Sequence, residues 1–401
     1  MERQDALTLA ALPLLGIWLL VARILSMLTP LLAPWLSYLL AQRLYYATPF
    51  AVYALRSGGG AKAILTRLGF EASYCMNVVR RYLTLPLRPH LPHFYIVGFP
   101  KCGTTSMCTY LKQHPCIDGL DGLPYHEILE KWVGRVSGSG AVGTLGGGES
   151  HFYVGALGRS STTSTSAYRS FFPTIVASTL ARVRHGNWLC FDACPVHACL
   201  PHVPARMKAM TPNAKLVFMM RDPLAAVISG ELMLRDLGMP LQWSTLGEHD
   251  LAGDSLAETE EDSAYWAAVE KLPLDEPLPA DLMQRFYSTT DPRPALRAAK
   301  YADCLDRFLR AFPKENMMFV DFADFVAQPE ATVRSVLKFV GADAALPAYA
   351  FKPMPPGMQG KPRGRTMHPA VKQRLRQYYR SSNLALQQML GRSLSWFGED
   401  V

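Results

Sequence analysis

Four groups of residues in this chain have the types and spacing to do chemistry. Lys101 stands inside a glycine turn, Gly98-Phe99-Pro100-Lys101-Cys102-Gly103, which runs into Thr104, Thr105 and Ser106. Glu149 and His151 follow a glycine-rich stretch, 138–148. In an extended segment their side chains fall on one face, because side chains alternate along a strand. Arg221 closes an apolar run as Arg221-Asp222-Pro223, and Ser229 comes eight residues later, near two helical turns on. Arginine offers a forked donor set that suits phosphate, and serine adds a hydroxyl. Finally, Lys361, Arg363, Gly364 and Arg365 form a basic turn ahead of His368-Pro369.

These groups need elements to hold them. Residues 95–97 are apolar, β-branched or aromatic, and read as a buried strand. Gly98, Pro100 and Gly103 break that strand into a turn, and a helix is expected over 107–113 with 104–106 at its start. Strand, glycine turn and helix N-terminus make an anion cradle, in which backbone N–H groups and the positive end of the helix dipole face a phosphate. The cradle departs from a Walker A loop. Gly98 and Gly103 have the Walker spacing, but Thr104 stands where the Walker lysine belongs, directly after the last glycine. Lys101, inside the turn, would meet a phosphate from its outer, leaving-group side.

Pro100-Lys101-Cys102-Gly103-Thr104-Thr105-Ser106 resembles the 5′-phosphosulfate loop of the sulfotransferases, which use 3′-phosphoadenosine 5′-phosphosulfate (PAPS) as sulfuryl donor. The resemblance is greatest to the membrane-bound, carbohydrate-directed branch, heparan- and chondroitin-type, and spans roughly 94–397. It implies an α/β fold with a P-loop-type parallel sheet flanked by helices, and PAPS as co-substrate with no metal. Lys101, Cys102, Gly103, Thr104, Thr105 and Ser106 match the 5′ loop, Arg221 and Ser229 the 3′-phosphate motif, and Arg363, Gly364 and Arg365 a loop that closes over the donor phosphates. Glu149-Ser150-His151-Phe152 resembles the segment whose glutamate is the family's proposed general base, with His151 as its companion. Glu127, in Tyr125-His126-Glu127, is the rival base. Catalysis is thereby expected of Glu149, Lys101 and His151. Heparan-type members carry a second lysine where this chain has Ala193, a departure from the heparan pattern.

The 401 residues can bury a large core. Hydrophobic residues make up 49% and charged residues 18%, as in a globular protein with a membrane part. A net charge of +8 suits an anionic partner. No Lys/Arg block or motif reads as a nucleic-acid site. Residues 6–28 are long and apolar enough for a bilayer helix, with Arg23 near one end, and 31–47 is a second, proline-broken apolar stretch. The expected domains are a membrane anchor region (1–47), a stem and linker (48–92) and a sulfotransferase domain (93–401). The resemblance implies a single-pass Golgi membrane protein with a lumenal catalytic domain, acting on a carbohydrate or other hydroxyl acceptor. The charge pattern alone favours the opposite orientation, because Arg43, Arg56, Lys62 and Arg67 all follow the anchor.

Further along, strands are expected over 187–191, 215–220 and 317–320, and helices from Leu224, over 301–312, 332–340 and 371–390. The five carboxylates within 254–262 read as a solvated loop. Of the eight cysteines, Cys190, Cys194 and Cys199 lie close in sequence but lack paired metal-ligand spacing. One or two disulfides would suit a lumenal domain, with no pairing fixed by the sequence. Two other functions remain open at this point: a P-loop kinase or NTPase, and a non-catalytic membrane scaffold with a degenerate donor site.

Overall fold

A computed structural model describes residues 80–81, 83–120, 149–154, 164–236, 241–246, 256–342, 349–353 and 366–396. The chain divides into two compact units, Met1–Leu91 with Leu120–Leu180, and Pro92–Gly119 with Ala181–Val401.

The second unit is built on five strands: β1 (Phe94–Gly98), β2 (Ile117–Asp118), β3 (Leu189–Ala193), β4 (Lys215–Met220) and β5 (Met317–Asp321). Their order is β2-β3-β1-β4-β5, and every pairing is parallel. A parallel sheet is covered on both faces, so its strands read as continuous apolar runs rather than alternating ones. Accordingly β1 is buried throughout, and β4 is buried at every position after Lys215. Phe94 stacks on Phe191 of β3, and Phe218 on Phe319 of β5, with ring centroids 5.1 and 5.6 Å apart. Strand β3 starts at Leu189, two residues later than expected. Asn187 is spent on other bonds, accepting from the Trp188 N–H at 2.7 Å and donating to the Gly341 carbonyl at 3.0 Å.

The flanking helices are α1 (Thr104–Leu111), α2 (Val203–Met210), α3 (Pro223–Asp236), α4 (Glu260–Glu270), α5 (Tyr301–Ala311), α6 (Phe322–Ala327), α7 (Pro329–Val340) and α8 (Pro369–Leu390). In α5, Tyr301, Leu305 and Phe308 recur at helical spacing and are all buried, and this helix packs against α8. Parallel pairing puts the C-terminal ends of β1, β4 and β5 along one edge of the sheet, where ligands of open α/β sheets bind.

One expectation fails here. Residues 260–262 are not loop but the first turn of α4. Thr259 caps that turn by accepting from the Asp262 N–H at 3.1 Å, while Asp262 reaches back to Thr259. Carboxylates in a first helical turn complement the helix dipole. Glu258 and Asp262 also pair with Arg297 and Arg293, at 3.0 and 2.9 Å.

The described part of the first unit is an aromatic cluster. Phe152, Tyr153, Tyr168 and Phe172 are fully buried, and Phe152 stacks on Tyr168 with centroids 4.1 Å apart. Buried Arg88 donates to the Phe172 carbonyl, and the guanidinium of Arg81 lies 4.3 Å from the Phe171 ring centroid. The apolar segments 6–28 and 31–47, the glycine-rich stretch 138–148, Glu127 and the Arg363-Gly364-Arg365 turn lie outside the described residues. Among the described residues, no helix is long and apolar enough to cross a membrane.

Candidate active site

The anion cradle forms where β1 ends. Gly103 is the N-cap of α1 with φ +85°, a conformation that favours glycine. A Cβ at Gly103 would also stand 2.8 Å from Cε2 of Phe322. The first bond of α1 runs from the Met107 N–H to the Gly103 carbonyl, at 3.0 Å. The N–H groups of Thr104, Thr105 and Ser106 therefore precede the helical ladder and are oriented to meet an anion.

Lys101 adopts φ +64°, in the left-handed region that a lysine seldom visits. Its Nζ lies 3.3 Å from Met233 Sδ on α3, and its side chain passes Gly230 of the same helix. Arg221, at the end of neighbouring β4, donates from Nη1 to the Lys101 carbonyl at 3.4 Å. Its guanidinium lies 4.7 Å from the ring centroid of Phe322, the first residue after β5. Three adjacent strand ends thus deliver Lys101, Arg221 and Phe322 in that order. Ser229 sits on α3 beside Gly230, on the helix that Lys101 touches. The two motifs singled out in the sequence thus lie side by side at the strand ends.

Cys102 holds a different place from its neighbours. Its side chain is fully buried, with Sγ 3.4 Å from the Pro100 carbonyl and 3.5 Å from the Tyr301 hydroxyl. Burial pushes its thiol up to about 12, so it stays protonated at neutral pH and packs as core.

Two further residues of this site have no local signature. Phe322 braces both Gly103 and Arg221, and nothing in its own neighbourhood announces that. Glu231 is a buried carboxylate on α3, two residues past Ser229. It accepts from Ser244 Oγ at 2.7 Å, from the Thr245 N–H at 2.7 Å, from Thr245 Oγ1 at 2.6 Å and from Arg235 Nε at 3.0 Å. The Thr245 carbonyl in turn accepts from the His368 N–H at 3.1 Å, at the N-cap of α8. Glu231 thereby ties the helix carrying Ser229 to the segment 243–246 and to the start of α8.

In the first unit, Glu149 Oε2 and His151 Nε2 lie 3.1 Å apart, both partly exposed. The two side chains do meet, but not across an extended strand. His151 has φ +50°, and the chain then closes into a short 3-10 turn at Phe152–Val154. Ser150 Oγ accepts from the Phe152 N–H at 3.1 Å, and the His151 carbonyl accepts from the Val154 N–H at 3.1 Å. Burial of Phe152, Tyr153 and Val154 pulls the chain into that turn, which aims the two polar side chains at each other.

The family model described as "Sulfotransferase domain" matches residues 91–350. The human protein named heparan sulfate glucosamine 3-O-sulfotransferase 6 is 25% identical over 332 residues, covering 78% of this chain and 75% of that one. Human heparan sulfate glucosamine 3-O-sulfotransferase 3A1 is 24% identical over 329 residues, covering 77% and 63%. Among solved structures, a sulfotransferase from Alicyclobacillus acidocaldarius aligns with a TM-score of 0.45 at 20% identity, covering 76% of this chain and 98% of that one.

Proposed function

The chain belongs to the sulfotransferase domain family, and we propose that it moves a sulfuryl group from PAPS to a hydroxyl or amine of a carbohydrate-like acceptor. The observation that carries this reading is the juncture of Lys101 and Arg221 at the ends of β1 and β4, beside a helix start with open N–H groups. The names of the relatives support a carbohydrate acceptor. Ala193, fully buried in β3 opposite Ile96, argues that any such acceptor is handled without the second lysine of heparan-type members.

The residues present fit the donor. Gly103 leaves no room for a side chain, so the backbone itself can approach a 5′-phosphate, which Thr104, Thr105 and Ser106 would hold. Arg221 and Ser229 would hold the 3′-phosphate, and the Arg363-Gly364-Arg365 turn would cover both. When bound, PAPS supplies a sulfuryl group on a phosphate leaving group. Lys101 and the amides of the cradle stabilise charge that develops on that phosphate. Glu149 takes the acceptor proton, with His151 beside it to share and orient the carboxylate. A lysine already neutralises the leaving side, so no metal is needed in this scheme.

Calorimetry with 3′-phosphoadenosine 5′-phosphate and with ATP tests the donor assignment. Tight binding of the former and weak binding of the latter is expected; the reverse order would assign the cradle to an NTPase. A ³⁵S-donor screen over glycans, steroids and lipids then identifies the acceptor. We further propose that 6–28 is an uncleaved anchor placing residues 93–401 in the Golgi lumen, behind a stem at 48–92. Alkaline carbonate extraction should leave the full chain in the pellet, and its release into the supernatant would defeat the anchor.

A further inference from the structure

The helix Ile175–His185 carries its sidedness reversed. Ser178 is its one buried residue, and Ala181 and His185, one and two turns on, are half-buried. The inward face is thus small or polar. Ser178 Oγ lies 2.7 Å from His90 Nε2, a polar tie between this helix and segment 80–90. Ile175, Val176, Leu180 and Val183 recur at helical spacing on the opposite face, and all four are exposed, Val176 at 63% and Val183 at 78%. A helix bordered only by core and water turns its apolar stripe to the core. Segment 80–90 adds exposed Leu83 and Leu87, so these two segments hold six of the nine large apolar side chains exposed among the described residues. Such a concentration marks an interaction surface. We propose that the helix Ile175–His185 lies in the interface of a phospholipid bilayer, with Val176, Leu180 and Val183 among the acyl chains and Arg182 and Arg184 at the headgroup phosphates.

The placement of charge selects this occupant. Helical spacing sets Arg182 on one border of the apolar face and Arg184 on the other, and both are exposed. An apolar face bordered by basic side chains is the form of a helix that lies in the plane of a membrane. Arginine stems run along the apolar boundary while the guanidinium groups stay at headgroup level. Neither 80–90 nor 175–185 contains an aspartate or glutamate, and Arg80 is exposed as well. A second copy meeting this face by two-fold symmetry would set arginines against arginines, with no carboxylate from either segment to pair them. A phospholipid surface supplies both the apolar layer and the phosphates. The chain also reaches this surface from residues 1–79, the stretch that holds the apolar segments 6–28 and 31–47. The proposal stands on the helix itself, and 6–28 need not span a bilayer for it to hold.

The test is photocrosslinking from the exposed face. The full chain carries p-benzoylphenylalanine in place of Val183 and is mixed with vesicles of phosphatidylcholine and phosphatidylglycerol, or of phosphatidylcholine alone. After irradiation it is digested and read by mass spectrometry. A phospholipid adduct on the peptide holding position 183 is expected, in higher yield where phosphatidylglycerol is present. Adding Val176→Asp and Leu180→Asp, both at exposed positions, should abolish the adduct while circular dichroism stays unchanged. A crosslinked dimer would assign the face to a second copy, and a crosslink to another peptide of the same chain would assign it to an internal segment. Either result overturns the proposal, as does the absence of any adduct. Persistence of the lipid adduct in the aspartate variant also overturns it, because the face would then be near the bilayer without docking on it. Carbonate extraction reports on 6–28 independently: a chain that carbonate releases but that gives the adduct loses the anchor and keeps this helix at the membrane.

Discussion

The cradle and the Glu149–His151 turn are held in opposite ways. Arg221 and Phe322 stand directly after their strands and Lys101 in the turn that follows β1, and the parallel register of β1, β4 and β5 decides their neighbours. Glu149 and His151 belong to a short turn whose position is set by the aromatic rings packed behind it. A phosphate site can rest on backbone geometry, because its ligand is a charge met by N–H groups and cationic forks. A proton acceptor instead needs one oxygen aimed at one atom, and side-chain packing does the aiming. Substitutions in the first region should therefore act on donor affinity, and substitutions in the second on rate.

The largest effect should come from the second region. With Glu149 as the proposed base, Glu149→Gln keeps the shape and removes the proton acceptor, and loss of a general base lowers rates by about 10²–10⁴-fold. Binding of 3′-phosphoadenosine 5′-phosphate should stay at the wild-type level in the same variant. Lys101→Ala should lower both rate and donor affinity, since it acts on the phosphate side. Turnover assays alongside calorimetry separate the two patterns. If Glu127→Gln abolishes turnover while Glu149→Gln leaves it intact, the base lies in the stretch before Glu149 and the comparison of the two regions fails.

Glu231 tests how far the cradle depends on parts that no motif marks. Glu231→Ala leaves the Thr245 N–H and two hydroxyls without their acceptor inside the fold. A buried donor left unsatisfied costs about 1–3 kcal/mol, and Glu231→Ala leaves three of them. Urea unfolding should show that loss. Glu231→Gln, which keeps an acceptor oxygen, should lose less. Equal stability of wild type and Glu231→Ala would mean that segment 243–246 is held by something other than α3.

These contrasts explain what the sequence could and could not reveal. The cradle was legible because strand, glycine turn and helix start are contiguous, so one short stretch carries both geometry and chemistry. The partnership of Lys101 with Arg221 was legible through resemblance alone; its physical cause is the pairing of β1 with β4, a contact across more than a hundred residues. Phe322 and Glu231 were not legible, since each acquires its role from what the fold brings to it. Alternation along a strand puts Glu149 and His151 on one face, but it is a turn with φ +50° at His151 that brings them together. The first turn of α4 was misread because clustered carboxylates were weighed as charge, while Thr259 with Asp262 three residues on spells a helix cap.

Arg221 gives the next effect in size. With Arg221 on the 3′-phosphate as proposed, Arg221→Ala should remove a charge-assisted contact worth about 1.5–3 kcal/mol, or roughly 10- to 150-fold in affinity. The readout is calorimetry with 3′-phosphoadenosine 5′-phosphate, with circular dichroism to confirm the fold. Arg221→Lys should recover only part of the loss, because an ammonium lacks the planar fork. Undiminished binding in a folded Arg221→Ala protein would remove Arg221 from the donor site.

The smallest effect is the most discriminating for the idea that strand ends build the cradle. Phe322 presents its ring to the Arg221 guanidinium and its edge to Gly103. Phe322→Leu retains an apolar side chain against Gly103 but removes the aromatic face. A cation–π contact at a partly exposed site is worth about 0.5–1 kcal/mol, so donor affinity should fall about 2- to 5-fold. Combining it with Arg221→Ala separates two roles for the ring. If Phe322 acts by orienting Arg221, its substitution should cost nothing further once the arginine is gone. If it meets the nucleotide directly, the two losses should add. A double-mutant cycle on 3′-phosphoadenosine 5′-phosphate binding reads that difference. Strict additivity would show that β5 contributes a contact of its own, making the cradle a site of three binding strands rather than two strands and a brace.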